Sequence, residues 1–177
     1  MQDELGSALS VEHRAFPLRP TPVPAVAFKG TYREDGWRRC GQMAAADGVT
    51  FTPWPHPQMP NWSLPALEAA KCVARQSDGL FERVNLALFE AFFTHSRNIA
   101  DPDIVRDVVA SIGADLSRFD ADLESGAGHE AVVKDYEAAV AEGVRSIPTV
   151  IVPETGRALV GLVDATMYRA AVEEATA

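Results

Sequence analysis

The sequence predicts an α/β domain in which a large helical insertion separates a short β segment from a C-terminal β-hairpin. Residues 9–16 alternate between two faces, as a half-buried strand does. Residues 63–143 show helical spacing of apolar side chains throughout. Residues 147–152 form a β-branched run, and turn residues separate this run from a second apolar run at 158–161. These patterns together predict an α/β fold rather than an all-helical one.

Composition limits the class of protein before any motif is considered. The chain has 177 residues, of which 47% are hydrophobic and 23% charged, with a net charge of 16 − 25 = −9. Such a chain is long enough for about one globular domain with a substantial core. An acidic chain without a Lys/Arg run is poorly suited to bind nucleic acid, because phosphate contacts supply most of that affinity. No apolar run reaches the length of a membrane span, so we expect a soluble, cytoplasmic protein without a membrane partner.

The N-terminal third is organised by its prolines. Four lie within 17–24 and five within 53–65, which predicts two extended connectors where helix is excluded. Between the connectors, residues 34–47 have apolar side chains at three- and four-residue spacing, and Gly48 follows as a helix stop. The pattern predicts a strand, a connector, a helix and a second connector.

The central region predicts a series of helices. The first begins at Ser63, and the second, over 79–94, is apolar over more than half its circumference, which predicts deep burial. Three more helices are predicted after Asp101, after Ser117 and over 129–142. Because loops between them are short, these residues should form one helical subdomain.

The C-terminal region carries the most informative local feature, a proline at the start of an apolar strand. Pro148 cannot donate a hydrogen bond to a β-ladder, so it belongs at the first residue or the edge of a strand. A cis Ile147–Pro148 bond would turn the main chain of Ile147 outward, where it could pair with an extended peptide; an ordinary trans proline is the alternative. We therefore predict a substrate- or peptide-binding site at Ile147, Pro148 and Thr149. A closing helix is predicted from Asp164 and should dock on the sheet through Met167, Ala171 and Val172.

The two cysteines form no recognisable motif. Cys40 and Cys72 lie 32 positions apart, and neither has a histidine at ligand spacing, so no metal site is expected. Both are predicted to be small buried apolar residues rather than reactive thiols.

Four segments, in their order along the chain, resemble the DsbA-like thioredoxin superfamily. They are residues 16–20 (FPLRP), 64–71 (LPALEAAK), 98–101 (NIAD) and 143–149, which reads Gly-Val-x-x-Ile-Pro-Thr. The similarity is greatest to the cytosolic DsbA-like oxidoreductases, which are related to 2-hydroxychromene-2-carboxylate isomerases and kappa-class glutathione transferases. It covers nearly the whole chain.

The resemblance implies a thioredoxin-like (DsbA-like) fold over residues 1–177, with 1–62 and 143–177 as the thioredoxin part and 63–142 as the helical insertion. In that family a Cys-x-x-Cys motif begins the first helix, and a cis proline faces it; Pro148 matches that proline. No such motif occurs in this chain. The expectation is therefore an N-terminally incomplete domain, without the first strand and active-site helix, and with no catalytic residue of its own.

The resemblance implies a thiol–disulfide oxidoreductase family protein whose redox nucleophile is absent from this chain. Its partners would be thiol- or disulfide-containing proteins or small molecules, glutathione among them, and no cofactor is expected. The open alternatives are a glutathione-dependent isomerase or transferase of the same fold, a redox-inactive module that binds peptides or a partner chain, and a structural remnant without activity. A homodimer is a further expectation.

Overall fold

Seven α-helices and two β-strands form within residues 9–176, the part of the chain that this computed structural model describes. The bounds are α1 Tyr32–Ala44, α2 Leu64–Ala74, α3 Asp78–Phe93, α4 Pro102–Ser111, α5 Leu116–Glu124, α6 Ala127–Ala141, β1 Thr149–Val152, β2 Arg157–Val160 and α7 Ala165–Thr176. A short 3₁₀ turn, Ala45–Asp47, extends α1. None of these helices is long and apolar enough to cross a membrane.

The described residues divide into two compact units, one of residues 17–134 and one of residues 9–16 with 135–176. The boundary falls within α6, so the predicted helical insertion is present as α2 to α6 but contributes to both units. The assignment of residues 1–177 to a single domain stays a prediction.

The larger unit has a helical core. Helices α2 to α5 pack together around the fully buried side chains of Val73, Val84, Val109 and Phe119. Local sequence sets the helix starts: Ser77 accepts a hydrogen bond from the Leu80 amide at 3.2 Å, which caps α3. The predicted helices are confirmed, with α5 beginning one residue before Ser117 rather than after it.

The predicted deep burial of α3 is only partly correct. Its inner face is buried at Val84, Leu88 and Ala91, but Leu86 is 66% exposed and Phe89 is 55% exposed. Apolar character around most of a helix predicts burial only if neighbours cover every side. Here the packing leaves one apolar side of α3 in solvent.

The smaller unit contains the hairpin and the last helix. β1 and β2 pair antiparallel, with Thr149 opposite Val160 and Val152 opposite Arg157, which confirms the predicted hairpin. Asp164 caps α7 by accepting a hydrogen bond from the Thr166 amide at 2.9 Å. Ala171 is fully buried, as predicted for the docking face, whereas Met167 is 41% exposed.

The strand predicted for residues 9–16 does not form. No described strand pairs with this segment, and the Ala15 amide donates instead to the Asp135 carboxylate at 2.7 Å. The Phe16 ring packs edge-on against Tyr136, with centroids 5.1 Å apart. Alternation detects a segment with two different faces, but a strand also needs a neighbouring main chain. Side-chain contacts with the C-terminal half of α6 therefore hold the segment.

A glycine in α6 tests how tightly the larger unit is packed. A Cβ atom on Gly128 would lie 2.7 Å from Cys72 Sγ and 2.8 Å from the Glu68 carbonyl oxygen. Gly128→Ala should lower the free energy of unfolding by about 1–3 kcal/mol, because rigid atoms would have to move. Gly36→Ala in α1 is the matched control: its Cβ meets nothing within 4 Å. This change should stabilise the protein by about 0.5–1 kcal/mol. Urea unfolding of both variants measures the difference, and equal effects would contradict the packing described.

Candidate functional site

The segment predicted to bind substrate lies at the start of β1. The Ile147–Pro148 peptide bond is cis. Ile147 is 44% exposed, and the Pro148 carbonyl accepts a hydrogen bond from the Gly161 amide at 2.8 Å. Thr149 donates its hydroxyl to the Ser146 carbonyl at 2.7 Å, which fixes the turn into the strand. The three predicted residues thus form one accessible corner of the smaller unit.

The end of α6 positions this corner. Gly143 has a left-handed backbone (φ 81°), a conformation that glycine adopts without steric cost. Its amide donates to the Val140 carbonyl at 3.0 Å, and the Val144 amide donates to the Ala139 carbonyl at 2.9 Å. These are the two hydrogen bonds of a Schellman C-cap. Arg145 adds a hydrogen bond from Nη1 to the Val144 carbonyl at 3.1 Å, so the approach to Ile147 is well defined.

The outer edge of β1 has unused main-chain groups. Antiparallel pairs alternate between hydrogen-bonded and non-hydrogen-bonded residues. The Gly161–Pro148 bond sets that alternation, so Val150 and Val152 bond to β2, while Thr149 and Ile151 direct their amides and carbonyls away from it. Within residues 9–176, the sheet has only these two strands.

The bend just before β1 adds further free main-chain groups at the predicted site. The Ile147 amide and carbonyl make no hydrogen bond within the described part of the chain. Free main-chain groups in an extended segment are a template for another strand. The structure therefore combines an exposed apolar side chain with a row of donors and acceptors that suit an extended peptide.

Cys40 is not the buried residue that the sequence predicted. Its side chain is exposed, in the middle of α1 rather than at a helix N-terminus. The buried face of α1 centres on Trp37 and Gly41, and Gly41 lies so close to Phe51 that a Cβ would be 2.9 Å away. Cys40 is rotated off that face, so the prediction of burial was wrong.

Cys72 is buried, as predicted. Burial, with a smaller contribution from the carboxylates of Asp122 and Glu68, raises the pKa of its thiol to about 11. The Gly128 amide and Arg75 act in the opposite direction with smaller effect. A thiol with this pKa is almost entirely protonated at neutral pH and is a poor nucleophile.

Across residues 9–176, no three His, Cys, Asp or Glu side chains are grouped to hold a metal ion.

Comparison with known proteins gives a consistent result. The model of the DSBA-like thioredoxin domain family matches residues 2–173. The Bacillus subtilis protein YwbO is 27% identical over 156 residues, covering 85% of this chain and 75% of YwbO.

Two solved structures share the fold. One is a "probable DsbA oxidoreductase SCO1869" from Streptomyces coelicolor, with a TM-score of 0.79 and 19% identity over 96% of this chain and 76% of that one. The other is the cytosolic disulfide reductase DsbM from Pseudomonas aeruginosa, with a TM-score of 0.64 and 18% identity over 96% and 82%. DsbM has also been determined with GSH, and that structure gives a TM-score of 0.62.

The raised pKa of Cys72 predicts a pH-dependent stability. Between about pH 9 and 11 the unfolded thiol loses its proton while the folded one keeps it, so stability should fall as pH rises, by on the order of 2 kcal/mol. Cys72→Ala should remove this part of the alkaline loss, whereas Cys40→Ala should retain it. Urea unfolding at several alkaline pH values measures the slopes. Identical slopes in the two variants would contradict the burial of an un-ionised Cys72 thiol.

Proposed function

Since this chain belongs to the DsbA-like thioredoxin domain family, we propose that it works in thiol–disulfide exchange by binding an extended, disulfide-bearing segment along the free edge of β1. The observation that carries the proposal is the set of main-chain groups at Ile147, Thr149 and Ile151 that have no partner within residues 9–176, beside the exposed Ile147 side chain. Main-chain pairing gives affinity without demanding one sequence, which suits a protein that acts on varied disulfide substrates.

Substrate binding, rather than nucleophilic attack, is the role we assign to the described residues. Exchange begins when a thiolate attacks a disulfide sulfur. Cys72 is buried with a raised pKa, and Cys40 stands alone in mid-helix with no second cysteine three positions away. The attacking thiolate is therefore neither of these two groups. The absence of a Cys-x-x-Cys motif from the 177 residues supports this assignment.

Glutathione is the small-molecule partner we favour. DsbM, which shares the fold, has been determined with GSH. Glutathione is itself a short peptide with amide groups, so it could pair with the same edge as a protein substrate. A glutathione-dependent isomerase or transferase would use the same binding surface. The description of DsbM as a cytosolic disulfide reductase supports placing this chain in the cytoplasm.

Binding at the free edge can be tested with one substitution on each side of the hairpin. Ile151→Pro removes an outward-facing amide from β1 and should weaken binding of a fluorescein-labelled, extended peptide carrying a glutathione mixed disulfide by about fivefold or more. Ala158→Pro is the matched control, because Ala158 is the cross-strand partner of Ile151 and directs its amide to the opposite edge. Fluorescence anisotropy measures both affinities.

The side chain at the corner offers an independent comparison. Ile147→Ser should weaken binding of the same peptide by about fivefold. Leu86→Ser, at an exposed apolar position of the other unit, should leave the affinity within about twofold.

Equal effects of Ile151→Pro and Ala158→Pro on peptide affinity would overturn the edge assignment. The edge assignment would also be overturned if the wild-type chain is a dimer and Ile151→Pro converts it to a monomer without changing its affinity for the peptide. The edge would then serve self-association.

The assignment of the cysteines has its own assay. Reduction of insulin by dithiothreitol should proceed at the uncatalysed rate in the presence of the 177-residue chain, and Cys40→Ala and Cys72→Ala should change nothing. Catalysis by the wild-type chain that is lost in either variant would show that the cysteine concerned is the nucleophile. That result would leave the peptide-binding measurements intact, so the two parts of the proposal fail separately.

A further inference from the structure

We propose that the free edge of β1 selects extended segments that carry an apolar side chain at every second residue, and that Tyr168 and Val172 of α7 set this preference. The selectivity rests on the proposed function, since it names the class of segment that the same edge binds. All the residues involved belong to the smaller unit.

The two faces of the hairpin differ in what covers them. Cross-strand partners lie on the same face, so Val150 shares a face with Leu159, while Val160 lies on the opposite face. Leu159 is 5% exposed, and Val160 is 56% exposed. Arg157, two residues before Leu159 and so on its face, pairs with Glu174 of α7 at 3.0 Å. α7 therefore covers the face of Leu159, which we call the α7 face.

The α7 face has an apolar gap at the β1 edge. Val150 and Leu159 are directly paired, yet Val150 is 40% exposed. β2 covers one side of Val150, and within residues 9–176 no strand lies on its other side. A side chain that an added strand placed there would lie about 5 Å from Val150, measured between Cβ atoms. An apolar side chain at this position gains affinity by removing the exposed surface of Val150 from water.

Tyr168 and Val172 lie on the side of α7 nearer to this gap. The fully buried Ala171 marks the line along which α7 faces the sheet. With 3.6 residues per turn, Glu174 lies about 60° to one side of that line, whereas Tyr168 lies about 60° and Val172 about 100° to the other side. The ion pair between Glu174 and Arg157 places the first side toward β2. The second side, with two partly buried side chains, therefore faces the free edge.

A strand added at this edge has two different surroundings. α7 packs against β1. A helix is about 10 Å wide and neighbouring strands lie about 4.8 Å apart, so α7 extends over the position of the added strand. Side chains directed to the α7 face pack beside Val150 under Tyr168 and Val172. Side chains directed to the opposite face lie beside Thr149 and Ile151, next to the surface where Val160 is exposed. Because successive residues alternate between the faces, an apolar residue is needed only at every second position.

The test compares two peptides of identical composition, each labelled with fluorescein and joined to glutathione through a disulfide at one central cysteine. One carries valine at every second position with serine between; the other carries its valines in one block, of which only about half can face α7 at once. Fluorescence anisotropy should show that the alternating peptide binds about fivefold more tightly. Equal affinities would overturn the selectivity and leave the proposed function standing, whereas failure of both peptides to bind would overturn both.

A tyrosine variant tests whether α7 sets the preference. Tyr168→Ala should reduce the preference for the alternating peptide from about fivefold to within about twofold, because it removes the largest apolar surface over the gap. Tyr32→Ala is the matched control, since Tyr32 is 74% exposed in the larger unit, and it should leave the preference unchanged. Thermal unfolding of both variants shows whether each remains folded.

A smaller change keeps the test decisive if Tyr168→Ala does not fold. Val172→Thr retains the size of the side chain but adds a hydroxyl, so it should weaken binding of the alternating peptide by about threefold and leave the block peptide less affected. Val49→Thr, at a 47% exposed position of the larger unit, should change neither affinity. The assignment to α7 is overturned if the folded α7 variants retain the full preference, or if they behave like their controls.

Discussion

One main-chain constraint shapes the candidate site: within residues 9–176, β1 has a hydrogen-bonding partner on only one of its edges. Each peptide group carries a donor and an acceptor that must be satisfied by protein, water or a ligand. Val150 and Val152 use theirs with β2, whereas Thr149 and Ile151 face outward. The exposed side chain of Ile147 lies at the start of this row. The binding surface that we assign follows from this half-used edge.

The two units differ in how completely they bury apolar surface. The larger one has a buried helical core and a second buried cluster of Phe28, Trp37 and Trp54. In the smaller one, Val150 and Val160 of the hairpin are each at least 40% exposed, and Leu162 is 77% exposed. Exposed apolar side chains next to unpaired strand groups are characteristic of surfaces that receive another chain. We therefore assign stability mainly to the core of the larger unit and peptide recognition to the exposed hairpin of the smaller unit.

The sequence predicted correctly those helices and strands whose first and last residues are set by their neighbours along the chain. Capping residues and proline positions located the helices, and the β-branched run before a turn located the hairpin. Contacts between distant segments decided the rest. Residues 9–16 do not form the predicted strand, because no described strand lies beside them to pair with. Cys40 is exposed because Trp37 and Gly41 occupy the packed face of α1.

For the candidate site, the position of Ile147, Pro148 and Thr149 at a strand start could be predicted, but the direction of each peptide group could not, since it depends on the register with β2. Residue-by-residue amide hydrogen exchange tests that direction. In the free chain, Thr149 and Ile151 should exchange rapidly while Val150 is protected, and a saturating disulfide-bearing peptide should protect Thr149 and Ile151. Slow exchange of Thr149 and Ile151 in the free chain, or no change with peptide, would contradict the account.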